Sequence, residues 1–126
     1  MLRSLEQERA NYAWKCIQKV KNLNNEETEK KYRSYVRRAS TLIQINGLGN
    51  TLAFYKSKKD EAYDLLYEHI NKWFKKQFKS QGNILNWIIS EKTSIIDVFR
   101  ITKEIIALLN WMKRFAEAEL RGEEIE

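Results

Sequence analysis

Residues 94–122 read SIIDVFRITKEIIALLNWMKRFAEAELRG, and this stretch decides the fold class. Ile95, Val98, Ile101, Ile105, Ile106, Leu108, Leu109, Met112, Phe115 and Ala116 recur at helical spacing. A stripe that broad marks a central helix contacted from two sides. Ser94 and Asp97 have capping-box spacing at its start, and Gly122 stops it after Arg121. Trp111 falls outside the main stripe of this helix. The four residues after Gly122, EEIE, read as part of a frayed tail spanning 122–126.

The same periodicity extends backwards through the chain. Ser57 and Asp60 form a second capping-box pattern, opening a long helix to about Lys79 that buries Ala62, Leu66, Ile70, Trp73 and Phe74. A short apolar helix runs from Asn83 to near Lys92. A first helix spans about Arg3 to Asn22, with Leu5, Tyr12, Ala13, Cys16, Ile17 and Val20 on one face. Asn25 caps a second helix, which has Glu26, Glu27 and Glu29 in its first turns and Arg37 and Arg38 in its last, complementing the helix dipole. Residues 39–46 read as a separate short helix ended by Gly47, followed by another at about 49–56. Proline is absent and there are only four glycines, which disfavours the many turns of a β-rich domain. The expectation is a single all-α domain over residues 1–126.

The 126 residues carry a net charge of +6. Residues 1–55 hold ten basic and five acidic side chains, residues 56–79 seven and four, and residues 80–126 six and eight, so the excess is confined to the first two thirds. Such a balance points to a polyanionic partner. Cys16 is the only cysteine, which excludes an intrachain disulfide and fits a reducing cytoplasm. Apolar runs such as 105–109 are far too short to span a membrane, and the N-terminus lacks the apolar stretch of a signal peptide.

Catalytic patterns are missing. A structural zinc site needs about four Cys/His ligands, and the chain offers Cys16 and His69. Cys16 lies on the buried face of the first helix and reads as inert packing; no arginine precedes His69 in AYDLLYE to make an RNase-type pair. Asp60, Asp64 and Glu68 recur every four residues, a pattern that reads as a solvated face pairing with Lys72 rather than as a metal site. Gly47-Leu-Gly49 lacks the third glycine and the preceding strand of a phosphate loop, and reads as a helix–helix turn. No cofactor or metal is expected.

The positive signal is KKYRSYVRR at 30–38, with five basic residues and two tyrosines in nine positions. Lys30, Arg33 and Arg37 share one helix face, flanked by Lys31 and Arg38, and this face is the first candidate for RNA-backbone contact. Lys15, Lys19, Lys56 and Lys58 form a second tier. Tyr32 and Tyr35 are either base-stacking platforms or core residues. Arg9 projects onto the apolar face of its helix, paired or snorkelling in one reading and functional in another. Lysines 72–79 suit a helix C-terminus. No base-reading module is visible, so binding without sequence preference is expected.

KKYRSYVRRASTLIQINGLGNTLAFYKSK (30–58), YDLLYEHINKWF (63–74) and LLNWMKRFAEA (108–118) together resemble the small subunit of the type III-B CRISPR effector, the Cmr complex, in order and spacing. Asn50 stands where the family pattern leads us to expect Gln, and Ala39-Ser40 where it often has Pro. The resemblance implies a compact bundle of about six helices and a non-catalytic role in antiviral defence. It implies copies stacking end to end beside guide-holding backbone subunits, and contact with target RNA and the guide:target duplex. Cleavage would belong to the backbone subunit, and guide pairing would read sequence. The family's basic positions map to Arg9, Lys31, Arg38, Lys58 and Arg114.

Overall fold

A computed structural model describes residues 3–80 and 82–122. These form six helices: α1 (Leu5–Asn22), α2 (Glu26–Asn46), α3 (Leu48–Ser57), α4 (Glu61–Phe78), α5 (Ile84–Ile89) and α6 (Ile95–Glu119), with no strand among the described residues.

α6 is the axis of the bundle, flanked by α1 and α2 as its broad stripe requires. Arg9 meets Glu104 and Lys21 meets Glu119, so α1 runs parallel to α6. Arg37 meets Glu117 and Glu29 meets Arg121, so α2 runs antiparallel. α4 packs across α2, and its Leu66, Ile70, Trp73 and Phe74 join Ile101, Ile105, Leu108 and Met112 of α6 in a solvent-free core. The Tyr12 ring leans on Trp73 at 5.0 Å, tying α1 to α4.

Local chemistry sets the helix ends. Ser4 and Gln7 form a reciprocal capping box on α1, a signal the sequence reading passed over. The Asn25 side chain accepts from Thr28 N at 3.2 Å and opens α2 as expected. Residues 39–46 are not a separate helix. Tyr32, Val36, Ala39 and Ile43 form one unbroken buried face, and with no proline or glycine between them α2 continues to Asn46. The dipole pattern read into Arg37 and Arg38 therefore falls in mid-helix. Gly47, at φ 86°, makes the corner into α3, a backbone conformation that side-chain-bearing residues adopt with strain.

The cap of α4 also differs from expectation. Ser57 donates to the Phe54 carbonyl at 2.7 Å and closes α3, while Asp60 caps α4 by accepting from Ala62 N at 2.8 Å and Tyr63 N. α5 ends at Ile89 rather than near Lys92. Its first amide, Ile84 N, donates to buried Asn71 Oδ1 at 2.8 Å. Ser94 accepts from Asp97 N and starts α6, which stops at Glu119, two residues before Arg121; the Leu120 side chain is buried.

Two expectations for the core fail at the same end of the molecule. Ile95 is 82% exposed and Leu5 41%. The first turns of α6 lead α1 by several residues, since Arg9 stands opposite Glu104, and among the described residues none packs over Ile95. Ile96 and Phe99 are exposed there too, as is Ile89 at the end of α5.

Candidate nucleic-acid interface

α2 carries its cations on the side opposite Tyr32, Val36 and Ala39. The expected grouping of Lys30, Arg33 and Arg37 is realised: together with Lys31, Ser34, Tyr35 and Gly122 they line one open cleft of about 270 Å³. Lys31 also lines an adjoining cleft with Lys58, Asn25, Glu27 and Asp60, so Lys58 from the α3–α4 turn extends the basic strip. Arg38 lies over the Tyr35 ring at 5.8 Å and Lys58 over Phe54 at 5.0 Å, which orients both cations.

The other candidates lie elsewhere. Lys15 and Lys19 project from α1, where Lys19 lines a groove with Leu23, Leu65, Glu68 and Lys72. Lys56 sits over Tyr67. Arg114 is exposed on α6 and lines a cleft with Glu6, Arg9 and Trp111. Arg9 is committed to structure: its guanidinium donates twice to Glu104, at 2.6 and 2.7 Å, and Glu104 also accepts from the Trp73 indole at 3.0 Å. That arrangement matches the paired reading of Arg9.

The α2 cations are held more loosely. Lys30 pairs with Glu26 at 3.0 Å and Lys31 with Glu27 at 3.1 Å, each one helical turn away, and Arg37 reaches Glu117 at 3.4 Å. Their side chains remain 38–45% exposed. Exposed pairs of this kind contribute about 0.3–0.5 kcal/mol each, so an incoming phosphate displaces them readily. The Lys31 ammonium is raised in pKa by its bond to Glu27 and by nearby Asp60, so it stays charged well above neutral pH.

The tyrosines of this helix are structural. Tyr32 is fully buried and its hydroxyl bonds His69 Nδ1 at 2.6 Å. Tyr35 stacks on Tyr63 at 3.6 Å and donates to Asp60, so one face and its hydroxyl are already occupied. Base stacking on Tyr32 is thereby removed from the reading.

The groups with chemical potential are closed off. Burial pushes the Cys16 thiol up to about 11, which keeps it protonated. His69 is 5% exposed and lowered to about 4, by burial first and then by Lys19 and Lys72. Asp60 is spent on capping, and Glu68 pairs with Lys72 at 3.7 Å. Among the described residues no three His, Cys, Asp or Glu side chains gather as metal ligands, and no helix is long and apolar enough to cross a membrane.

Sequence reasoning missed the wall that completes the cleft. After Leu120 the chain turns back over α2. Arg121 donates through its backbone and its guanidinium to Glu29, at 2.6 and 2.9 Å, and Gly122 rests on Arg33. Burial pushes the 3%-exposed Glu29 carboxyl up, but the bonds from Arg121 outweigh it and the net shift is downward. Glu29 could be read only as a first-turn acid, because its partner lies 92 residues away.

Comparison with known proteins agrees with this architecture. The CRISPR system Cmr subunit Cmr5 of Thermus thermophilus is 25% identical over 118 residues, covering 85% of this chain and 90% of the relative. A crystal structure of a CRISPR-associated Cmr5 family protein from the same organism covers 95% of this chain and 100% of its own, with a TM-score of 0.77 at 23% identity. The model of the CRISPR-associated Cas_Cmr5 family matches residues 5–119. With nearly its whole length matched, the chain belongs to the Cmr5 family of CRISPR-associated proteins.

Proposed function

We propose that this protein is a non-catalytic small subunit of a Cmr-type RNA-targeting complex, and that α2 tracks the backbone of target RNA or of the guide:target duplex. The observation that carries this reading is the cleft gathering Lys30, Lys31, Arg33 and Arg37, continued by Lys58. Four exposed or half-exposed cations on one helix face match a run of phosphates. Of the described residues lining these clefts, Tyr35 is stacked on Tyr63 and donates to Asp60, and Asn25 caps α2, so neither is set to read base edges, which suits a subunit whose guide supplies the sequence. The buried thiol of Cys16 and the buried imidazole of His69 favour a role without chemistry.

The same reading has copies of the chain stacking end to end. Ile89, Ile95, Ile96 and Phe99, each 65–82% exposed, form an apolar end that a solitary soluble chain rarely presents. Groove residues Leu23 and Leu65 lie at the opposite end of α1. An apolar end facing an apolar groove gives a head-to-tail contact, which propagates as an open filament. This apolar end also fits an interaction module that docks on other subunits without touching RNA.

Fluorescence-anisotropy titration with unrelated single-stranded RNAs separates the two. Lys30→Glu with Arg37→Glu is expected to weaken binding about tenfold or more for every sequence, and to flatten the log-affinity versus log-salt slope by about 1.4. Lys15→Glu with Lys19→Glu is expected to have the smaller effect. Unchanged affinity in the first variant removes α2 from the interface and leaves the docking module.

A further inference from the structure

A second cleft lies on the other flank of α6, along the α1 seam. It is open, has a volume of about 420 Å³, and is lined by Glu6 and Arg9 of α1 and by Ala107, Asn110, Trp111 and Arg114 of α6. Trp111 is half-buried there. Phe115 packs against its ring at 5.6 Å, and Trp14 meets Phe115 edge-on at 5.3 Å, so the indole is held from behind. Among the described residues no other ring covers Trp111, and no acceptor meets its indole N–H. The core Trp73 differs, since its N–H is bonded to Glu104, and so does Tyr35, whose ring is already stacked on Tyr63.

The walls of this cleft are mostly polar. Only Ala107 adds apolar surface to the indole. Asn110 and Arg114 are exposed, and among the described residues neither side chain has a hydrogen-bond or ion-pair partner. Arg9 is neutralised by Glu104. With α1 parallel to α6 and Arg9 opposite Glu104, Glu6 stands at one end of the cleft and Arg114 at the other. An apolar anchor from a protein partner would strip water from the amide and the guanidinium and give them nothing in return. A nucleotide offers a flat face to the indole, polar edges to the amide and a phosphate to the guanidinium. Asn110, Arg114 and Glu117 also share one outward line of α6, at i, i+4 and i+7. Glu117 holds Arg37 at 3.4 Å, so that line joins this cleft to the α2 cations.

We propose that Trp111 is a stacking platform for one unpaired RNA base, with Arg114 on an adjoining phosphate and Asn110 at the base edge. The inference rests on the reading that this chain holds RNA, and not on the assignment of that RNA to α2. Stacking tolerates any sequence, because every base has a π-face. It does not tolerate pairing, because a base inside a duplex has no free face. The α2 cations meet phosphates, which single strands and duplexes both present. Trp111 therefore supplies what α2 lacks, a preference for an unpaired nucleotide over a paired one.

Two measurements on the full-length protein test this. In NMR spectra the indole N–H signal of Trp111, identified by its loss in Trp111→Phe, should shift on titration with a short oligoadenylate, while that of buried Trp73 should not. An unmoved Trp111 signal overturns the proposal without reliance on any variant's fold. In anisotropy titrations, Trp111→Leu should weaken single-stranded RNA binding about fivefold or more, and Trp111→Phe should keep most of the affinity. The salt slope should not change in Trp111→Leu, because stacking releases no counterions, whereas Arg114→Gln should flatten it by about 0.7. With an abasic oligomer of the same length, or with duplex RNA, Trp111→Leu should have no effect. An equal loss on abasic RNA means that Trp111 acts only through the fold, and overturns the proposal. So does a Trp111→Leu protein that keeps its RNA affinity but fails to join the complex, which would make the cleft a protein anchor. If Lys30→Glu with Arg37→Glu changes nothing while Trp111→Leu does, the assignment of RNA to α2 fails and this site stands.

Discussion

Arg9 and Arg37 each face a glutamate of α6, one across the α1 seam and the other across the α2 seam. Arg9 makes two bonds to Glu104, with side chains only 21% and 11% exposed, and Glu104 is also claimed by the Trp73 indole. Arg37 makes one 3.4 Å contact to Glu117, with 38% and 30% exposed, and lines an open cleft. The side chain is the same and the partner type is the same, yet one arginine is locked into the seam beside the core and the other lines an open cleft. What separates them is how much solvent the carboxylate has lost and how many donors hold it.

The largest effect expected from that difference is in stability. Glu104→Ala strands a half-buried guanidinium and an indole donor together, and should cost about 3 kcal/mol. Glu117→Ala should cost less than about 0.5 kcal/mol. Urea unfolding of the two variants measures both, and equal midpoints would break the distinction between the seams.

A comparable loss should follow acidification. His69 lies between α1 and α2, with its carbonyl accepting from Tyr12 and its ring bonded to Tyr32. Its folded-state pKa of about 4 lies below the ordinary 6.5, so the folded protein holds it neutral. Above pH 6.5 its contribution is complete. As pH falls from there to about 4 the unfolded chain takes up a proton that the folded one refuses, and stability declines by on the order of 3 kcal/mol. His69→Gln should lose most of that slope in urea-unfolding curves collected between pH 7 and 4. A slope unchanged in the variant would assign the acid sensitivity to carboxylates.

The smallest stability effect is expected where the apolar surface is exposed. Ile95→Asn with Phe99→Ser should change the unfolding free energy by no more than about 0.5 kcal/mol. Light scattering at high protein concentration should nevertheless show less self-association. Undiminished association would remove this end of the bundle from the proposed stacking contact.

Much of the fold was legible because the chain is periodic and nearly free of breakers. The central position of α6 followed from the width of its stripe, and the caps at Asn25 and Ser94 from residue type. The break placed at residue 39 was an error of local reading. The polar run before Ala39 gives way to STLIQI after it, but the buried face of α2 continues through both. Ser57 and Asp60 compete for one cap, and only the geometry of the α3–α4 turn settles which serves. Ile95 fits the apolar period and is exposed, since periodicity says which face a residue is on and not whether a neighbour reaches that far. At the candidate interface, the clustering of Lys30, Arg33 and Arg37 follows from helical geometry alone. The wall made by Arg121 and Gly122, and the commitment of Arg9 to Glu104, depend on contacts across more than 90 residues, which no local pattern encodes.

The central claim is that the loosely held cations of α2 form a surface for RNA backbone. The most direct measurement is RNA affinity of the isolated protein titrated against salt. The account predicts a linear fall of log affinity with log salt, with a slope near −3 for about four phosphate contacts at roughly −0.7 each, and no dependence on sequence. A slope near zero, or affinity unchanged by Lys30→Glu with Arg37→Glu, would contradict it.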